Sequence, residues 1–231
     1  MTKIKICGLK REEDIQYVNE VKPDYVGFVF ANSKRRVTLD KAKELIALLD
    51  NSIKTIGVFV DEEIEKALEF GEKLNLHGFQ FHGNEGAEYI KNFQNFTVWK
   101  AMSIKVDLEN GAYEIDKYKE QLNRYKDYSI ESIVLDSSVK GAEGGTGVSF
   151  DWEVVPKLNI SKKLILAGGL NCSNVEDAIR IVHPYAVDVS SGVETNGVKD
   201  YNKIKKFVEK VRNILWMEDL ESSVDNTHQK L

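Results

Sequence analysis

Eight short apolar runs, separated by segments with helical periodicity, constrain the fold of this chain more than any other feature. Each run has the length of a β-strand that is buried on both faces. The runs cover residues 4–7, 25–30, 55–60, 78–81, 97–101, 132–135, 163–167 and 186–189. Buried strands that alternate with helices predict a parallel sheet with right-handed crossover connections.

The segments between the runs carry apolar residues at positions i, i+3, i+4 and i+7, which is typical of helices with one buried face. Three clear stripes are formed by Ala42, Leu45, Ile46 and Leu49, by Val175, Ala178, Ile179 and Val182, and by Ile204, Phe207, Val208 and Val211. Asp61 and Asp200 precede the third and the last helical segment, and Ser173 with Glu176 has the spacing of a capping box. These residues are predicted to begin helices.

The number of strand–helix units predicts the fold class. Eight units in about 212 residues fit the lower end of the size range of a closed barrel. We therefore expect an α/β protein with a single (β/α)₈ TIM barrel and a parallel eight-stranded core over residues 1–213. An open doubly wound sheet is the alternative, although the first run lacks the glycine fingerprint of dinucleotide-binding folds. Residues 214–231 are polar and acidic, and we expect them to form a partly disordered C-terminal extension.

Charge and composition exclude several function classes. The 231 residues carry a formal net charge of −5, which provides no broad positive field for nucleic acid. No apolar stretch approaches the roughly 20 residues of a membrane helix, and the first residues lack a signal-peptide apolar region, so we expect a cytoplasmic protein. The two cysteines and four histidines lack metal-ligand spacing, which predicts neither a metal site nor a disulfide scaffold.

Glycine and hydroxyl residues follow the last three runs, at the end of the barrel where such folds place their active sites. They are Gly145 and Gly147 after the sixth run, Gly168 and Gly169 after the seventh, and Ser191 and Gly192 after the eighth. Backbone N–H groups can approach a phosphate closely where no Cβ intervenes. These residues predict a phosphorylated ligand, although each glycine could instead serve only a sharp turn.

Three other side chains at this end could carry chemistry. Cys7 ends the first run, and Asp136 follows the apolar sixth run. A thiol and a carboxyl group that face one cavity favour acid–base catalysis on a small phosphorylated molecule. Arg35, in the loop after the second run, could bind a ligand carboxylate with two hydrogen bonds. The alternatives are a cysteine that only fills the core, a carboxylate that caps a loop and a solvated basic turn.

Two further function classes fit the same fold. An epimerase or aldolase acting on a phosphosugar would need a metal site or a Schiff-base lysine, for which Lys100 near the end of the fifth run is the candidate. A protein that only binds a phosphorylated ligand would need neither Cys7 nor Asp136.

Seven sequence motifs occur in order from residue 3 to about residue 212 and together closely resemble one enzyme family. The motifs are KIKICG, GFVF followed by SKRR, GVFVD, QFHGNE, GGTGVSFDW, LAGGLNCSNV and VDVSSGVETNGVKD. They are similar to those of the phosphoribosylanthranilate isomerases of tryptophan biosynthesis. AGGL or GGTG alone would indicate only a phosphate-binding barrel.

The resemblance implies a TIM-barrel isomerase that rearranges N-(5-phosphoribosyl)anthranilate to 1-(o-carboxyphenylamino)-1-deoxyribulose 5-phosphate without cofactor or metal. It leaves open whether the chain is a monomer or a homodimer. It assigns Cys7 as general base, Asp136 as general acid and Arg35, or alternatively Arg36, as the residue that binds the anthranilate carboxylate. The residues implied to line the pocket or to bind the phosphate are Gln80, His82, Gly145, Gly147, Gly168, Gly169, Ser191 and Gly192.

Overall fold

A closed parallel barrel of eight strands forms the centre of the protein in a computed structural model that describes residues 1–104, 114–136 and 151–214. Each strand pairs with the next one along the chain, and β8 pairs with β1 to close the sheet. The strands are β1 (Lys3–Cys7), β2 (Tyr25–Val29), β3 (Lys54–Phe59), β4 (Gly78–Phe81), β5 (Thr97–Ser103), β6 (Ser132–Asp136), β7 (Lys163–Ala167) and β8 (Ala186–Val189). The predicted TIM barrel is confirmed.

Helices connect the strands and surround the barrel. They are α1 (Glu12–Val21), α2 (Leu39–Ala47), α3 (Ile64–Lys73), α4 (Ala87–Ile90), α5 (Ile115–Tyr125), α6 (Val175–Val182) and α7 (Tyr201–Arg212). A short hairpin of β9 (Glu194–Thr195) and β10 (Val198–Lys199) lies between β8 and α7. Within the part of the chain that the structure describes, no helix is long and apolar enough to cross a membrane. Most of the predicted C-terminal extension, residues 215–231, lies outside the described residues.

The part of the β6–β7 connection that the structure describes, residues 151–162, differs from the regular strand–helix pattern that the sequence predicted. Its described residues form two short 3₁₀ helices, Trp152–Val154 and Pro156–Leu158, in place of a long α-helix. Pro156 occupies the first position of the second of these helices. Proline fits that position because it has no N–H to donate, but in the interior of a longer helix it would remove a hydrogen bond.

Two of the predicted helix starts differ from the structure. Asp200 caps α7 by accepting a hydrogen bond from the Lys203 N–H, as expected. The helix α3, however, begins after Glu63, because the Asp61 carboxylate instead accepts hydrogen bonds from the backbone and side chain of Asn84. The helix α6 begins after Asn174, and Ser173 donates its hydroxyl to Asn171.

The pleat of the strands divides the apolar side chains between two cores, because successive residues of a strand point to opposite faces. One cluster, with Trp99, Val134 and Ile165 among its members, fills the inside of the barrel. The larger cluster lies between the strands and the helices. Phe79 in β4 belongs to this outer core and packs against four other phenylalanine rings at centroid distances of 4.8 to 5.7 Å.

We expect Phe79→Ala to lower the free energy of unfolding by about 3–5 kcal/mol, because it removes a fully buried ring and leaves a cavity among the other aromatic side chains. The measurement is urea-induced unfolding followed by circular dichroism. Leu48→Ala is the control, since Leu48 is 53% exposed and its truncation should change stability by only about 0.5 kcal/mol. Equal effects of the two variants would contradict the assignment of Phe79 to the core.

Candidate active site

A cavity of about 370 Å³ opens at the carboxyl ends of the barrel strands. This is the end at which TIM barrels carry their active sites. Its walls combine apolar side chains with a thiol, two carboxyl groups, an imidazole and a guanidinium group. The sequence-predicted residues in its lining are Cys7, Arg35, Gln80, His82, Asp136, Gly168, Gly169 and Ser191.

Cys7 lies at the end of β1, where the barrel interior meets the cavity. Only 8% of the residue is exposed. Its register partner in β2 is Gly27, and the absence of a side chain there makes room for the thiol. A Cβ at Gly27 would lie 2.6 Å from Cys7 Sγ. Burial raises the pKa of the Cys7 thiol, and the positive charges of Lys5 and Lys199 oppose that effect.

Asp136 ends β6, on a different part of the barrel wall from Cys7, and its side chain lines the same cavity. Neighbouring groups at the mouth partly desolvate the imidazole of His82, which lowers its pKa. The residue is nevertheless exposed. The nearby Asp136 carboxylate opposes this effect. His82 is therefore a neutral hydrogen-bonding group near pH 7, and its ring nitrogen lies 3.5 Å from the Gln80 amide.

The loops after β7 and β8 form the side of the cavity that suits a phosphate. Gly168 and Gly169 both have positive φ angles, of 86° and 65°, which glycine adopts without strain. A Cβ at Gly169 would meet no atom of the described residues within 4 Å, so this position lacks close neighbours among them. Ser191 begins a short 3₁₀ helix after β8 and lines the same part of the cavity.

Gly192 does not line the cavity. A Cβ on Gly192 would lie 1.8 Å from the carbonyl oxygen of Leu170, so glycine is required there for the loops after β7 and β8 to pack together. Gly145 and Gly147, the other glycines predicted to bind phosphate, lie outside the described residues.

Arg35 reaches the cavity from the loop after β2 and is held by Glu194 of the β9–β10 hairpin. Its Nε and Nη2 atoms donate to the two carboxylate oxygens of Glu194 at 2.7 and 2.8 Å. Lys199 in β10 donates to the same carboxylate at 2.8 Å. Arg36, the alternative carboxylate-binding residue, is exposed and does not line the cavity.

A buried polar network lies directly beneath Cys7. Lys5 and Asp188 are register partners in β1 and β8, and the Lys5 ammonium group donates to Asp188 at 2.6 Å and to Gln80 of β4 at 2.8 Å. The Lys5 side chain is fully buried, and that of Asp188 is 6% exposed. The second carboxylate oxygen of Asp188, Oδ1, is buried and has no hydrogen-bond donor among the described residues.

Residues 4–210 match the family model of N-(5'-phosphoribosyl)anthranilate isomerase. The chain belongs to this family. Relatives with this name include one from Thermoanaerobacter sp. strain X514, 56% identical over 214 residues, and one from Clostridium kluyveri, 51% identical over 216 residues. Each alignment covers 93% of this chain and 100% of the relative.

Solved structures of the isomerase family share the fold of this chain. The crystal structure of phosphoribosyl anthranilate isomerase from Thermotoga maritima has a TM-score of 0.79 and 36% identity, covering 93% of this chain and all of the other. A second isomerase structure, in complex with reduced 1-(o-carboxyphenylamino)-1-deoxyribulose 5-phosphate, has a TM-score of 0.76, 35% identity and the same coverage. A third structure shows monomers generated from the dimeric Thermotoga maritima enzyme. Its TM-score is 0.77, with 35% identity and the same coverage.

Lys100, the lysine considered for a Schiff base, does not line the cavity, which agrees with the family assignment. Lys100 alternates along β5 with Trp99 and Ala101, which point into the barrel, so its side chain points towards the helices. Its ammonium group contacts the Glu85 carboxylate and donates to the carbonyl oxygen of Gly83. Among residues 1–104, 114–136 and 151–214, no group of three or more histidine, cysteine, aspartate and glutamate side chains could hold a metal ion.

Sequence reasoning missed four charged residues next to the sequence-predicted isomerase site: Lys5, Asp188, Glu194 and Lys199. Lys5 and Asp188 interrupt otherwise apolar runs, a pattern that could have indicated charges inside the barrel. The Asn-Gly pair that follows Thr195 could have indicated a hairpin that brings Glu194 and Lys199 together.

We expect the Glu194 carboxylate to contribute to stability above pH 4.5 and to lose that contribution as the pH falls towards 2. Burial would raise its pKa, but hydrogen bonds from Arg35 and Lys199 lower it from 4.5 to about 2. Because the folded-state pKa lies below the unfolded one, protonation favours the unfolded state in this range. The difference in unfolding free energy between wild type and Glu194→Gln should therefore shrink between pH 5 and pH 2.

Urea unfolding at several pH values within this range measures the effect. Glu69→Gln, which removes an exposed ion pair with Lys73 on α3, is the control and should show little pH-dependent difference from wild type. A Glu194→Gln difference that is constant or grows on acidification would contradict the predicted linkage.

Proposed function

We propose that this protein converts N-(5'-phosphoribosyl)anthranilate to 1-(o-carboxyphenylamino)-1-deoxyribulose 5-phosphate in tryptophan biosynthesis, with Asp136 as general acid and Cys7 as general base. The observation that carries the proposal is the position of these two groups on β1 and β6, on different walls of one ligand-sized cavity. A proton can thus be delivered to one part of a bound sugar and removed from another.

The reaction is an isomerisation in which protons move between the substrate and the two side chains, with no net gain or loss of protons. Asp136 donates a proton to the ribose ring oxygen as the bond between that oxygen and C1 breaks, which gives a protonated Schiff base with the anthranilate nitrogen. Cys7, as thiolate, then takes the proton from C2, and the electron pair moves to form an enolamine. The C2 hydroxyl loses a proton and C1 gains one as the ketone forms, so both side chains return to their starting states.

The remaining residues of the cavity are proposed to orient the substrate. The backbone around Gly168, Gly169 and Ser191 lines the cavity and suits a phosphate, since a position without a Cβ allows close approach to the main chain. Glu194 engages only Nε and Nη2 of Arg35, so the N–H groups of Nη1 can donate to the anthranilate carboxylate. His82, which has a lowered pKa, can hydrogen-bond the substrate without adding a positive charge.

The proposed site also bears on the oligomeric state and the cellular location of the protein. Since Cys7 and Asp136 belong to one barrel, a single chain carries both proposed catalytic groups, and a monomer or a homodimer can be active. A substrate that bears a phosphate and a carboxylate does not partition into a bilayer, which favours a cytoplasmic location.

We expect Cys7→Ser and Asp136→Asn each to lower kcat by about two orders of magnitude or more, the usual contribution of an acid or base group. The measurement is the loss of substrate fluorescence as phosphoribosylanthranilate is consumed. Cys172→Ser, at the only other cysteine of the chain, is the control and should leave kcat unchanged. Normal turnover by either of the first two variants would refute the assigned role.

We expect Arg35→Ala to weaken binding of ligands that carry the anthranilate carboxylate more than binding of plain ribulose phosphates. The physical reason is the loss of a charge-assisted hydrogen-bond pair to the carboxylate. Inhibition constants of a product analogue and of ribulose 5-phosphate measure this selectivity, with Arg36→Ala at the exposed neighbouring position as the control. An equal loss for both ligands would exclude Arg35 as the carboxylate-binding residue.

A further inference from the structure

We propose that the buried Lys5–Asp188 pair controls the ionisation of the Cys7 thiol, with Lys5 as the cation that stabilises the thiolate and Asp188 as the carboxylate that holds Lys5 in place and opposes the thiolate. This assignment extends the proposed function, in which Cys7 is the base. Lys5 and Asp188 are positioning residues here, since they act through the thiol.

The first argument is the location of Lys5. Lys5 and Cys7 are two residues apart on β1, so both side chains point to the inside of the barrel. They pack against the same residue of β2: a Cβ at Gly27 would lie 2.6 Å from Cys7 Sγ and 3.1 Å from Lys5 Cε. Glycine at this position lets the thiol and the lysine side chain pack side by side.

The second argument is the cost of a charge in that space. A fully buried lysine is expensive unless it is paired and hydrogen-bonded. Asp188 and Gln80 provide its partners, at 2.6 and 2.8 Å. Burial alone would lower the pKa of Lys5, but the Asp188 carboxylate and the Cys7 thiolate raise it above its usual value. Lys5 therefore stays protonated next to Cys7 over the working pH range.

The third argument is the charge balance around the thiol. Lys5, Lys199 and Arg35 all interact electrostatically with Cys7, and the carboxylates that accompany them are Asp188 and Glu194. The three cations exceed the two carboxylates by one positive charge, which the thiolate neutralises. Ionisation of Cys7 thus balances the group instead of adding an uncompensated buried charge.

Two titratable groups, His82 and Asp136, face this cluster from across the cavity. The pKa of His82 is lowered by desolvation, and Asp136 gives its proton to the substrate in the proposed reaction. A bound substrate adds the negative charges of its phosphate and carboxylate, which disfavour a thiolate. A permanent cation in contact with the thiol matters most at that stage.

Alkylation of Cys7 by iodoacetamide over a range of pH tests the proposal, because only the thiolate reacts. The parent protein carries Cys172→Ser, so that the rate reports on Cys7 alone. We expect Lys5→Met to move the profile to higher pH by about one unit, a tenfold lower rate near neutral pH. Asp188→Asn removes a negative charge that raises the pKa of the thiol, so it should move the profile to lower pH.

The opposite signs separate electrostatic control from a structural role. If the pair served only to hold the barrel together, loss of either member would disturb Cys7 in the same direction. Lys100→Met is the matched control, since Lys100 is an equally buried lysine paired with a carboxylate but points away from the barrel interior. Its alkylation profile should coincide with that of the parent.

A double variant, Lys5→Met with Asp188→Asn, covers the case in which Lys5→Met alone does not fold, because it leaves no unpaired buried charge. Its alkylation profile should lie at higher pH than that of Asp188→Asn. An unchanged profile in Lys5→Met, shifts of the same sign in both single variants, or coincidence of the double variant with Asp188→Asn would overturn the proposal.

The acidic limb of kcat/KM, which reports on groups of the free enzyme, should follow the same shifts. Alkylation requires no turnover, so it tests the charge effect separately from the proposed reaction. If Cys7→Ser kept normal turnover while the alkylation shifts were found, the base assignment would fail and the control of the thiol would stand.

Discussion

Hydrogen bonding between β1 and β8 closes the barrel, and the candidate site depends on this closure. It places Lys5 in register with Asp188, which is 183 residues away in the sequence, and it brings the Ser190 hydroxyl to the carbonyl oxygen of Cys7. The contact of Arg35 with Glu194 likewise spans 159 residues. Without closure, the thiol would lack the charged neighbours Asp188 and Lys199 and the cavity wall formed by the loops after β7 and β8.

Closure also forces charged groups into a space without solvent, and the site depends on how they are compensated. In the lower part of the barrel, apolar residues such as Ile165 and Val134 fill the interior. Closer to the mouth, charged and amide groups hydrogen-bond one another, and glycine at position 27 provides the room for them. An apolar replacement of such a pair could be as stable or more so, which suggests that the charges serve chemistry more than folding.

Local sequence patterns predicted most of the fold, because strand burial and helical periodicity are short-range properties. The run 78–81 coincides with β4, and the position of Cys7 at the end of β1 followed from the apolar pattern alone. The partners of Cys7 and Arg35 were not predictable in this way, since they depend on barrel closure and on a hairpin far along the chain. The Ser173 prediction failed for a local reason, because the Asn171 side chain accepts the Ser173 hydroxyl before the helix begins.

Closure between the first and the last strand also has a consequence for the order of events during synthesis. A chain emerging from the ribosome presents β1 first, but β8 and the hairpin that carries Lys199 follow almost 180 residues later. Until then, Cys7 is an ordinary thiol on an unpaired strand edge, without a lysine–carboxylate pair at its side. The charged neighbours of this cysteine are therefore all in place only when the final quarter of the polypeptide has been made.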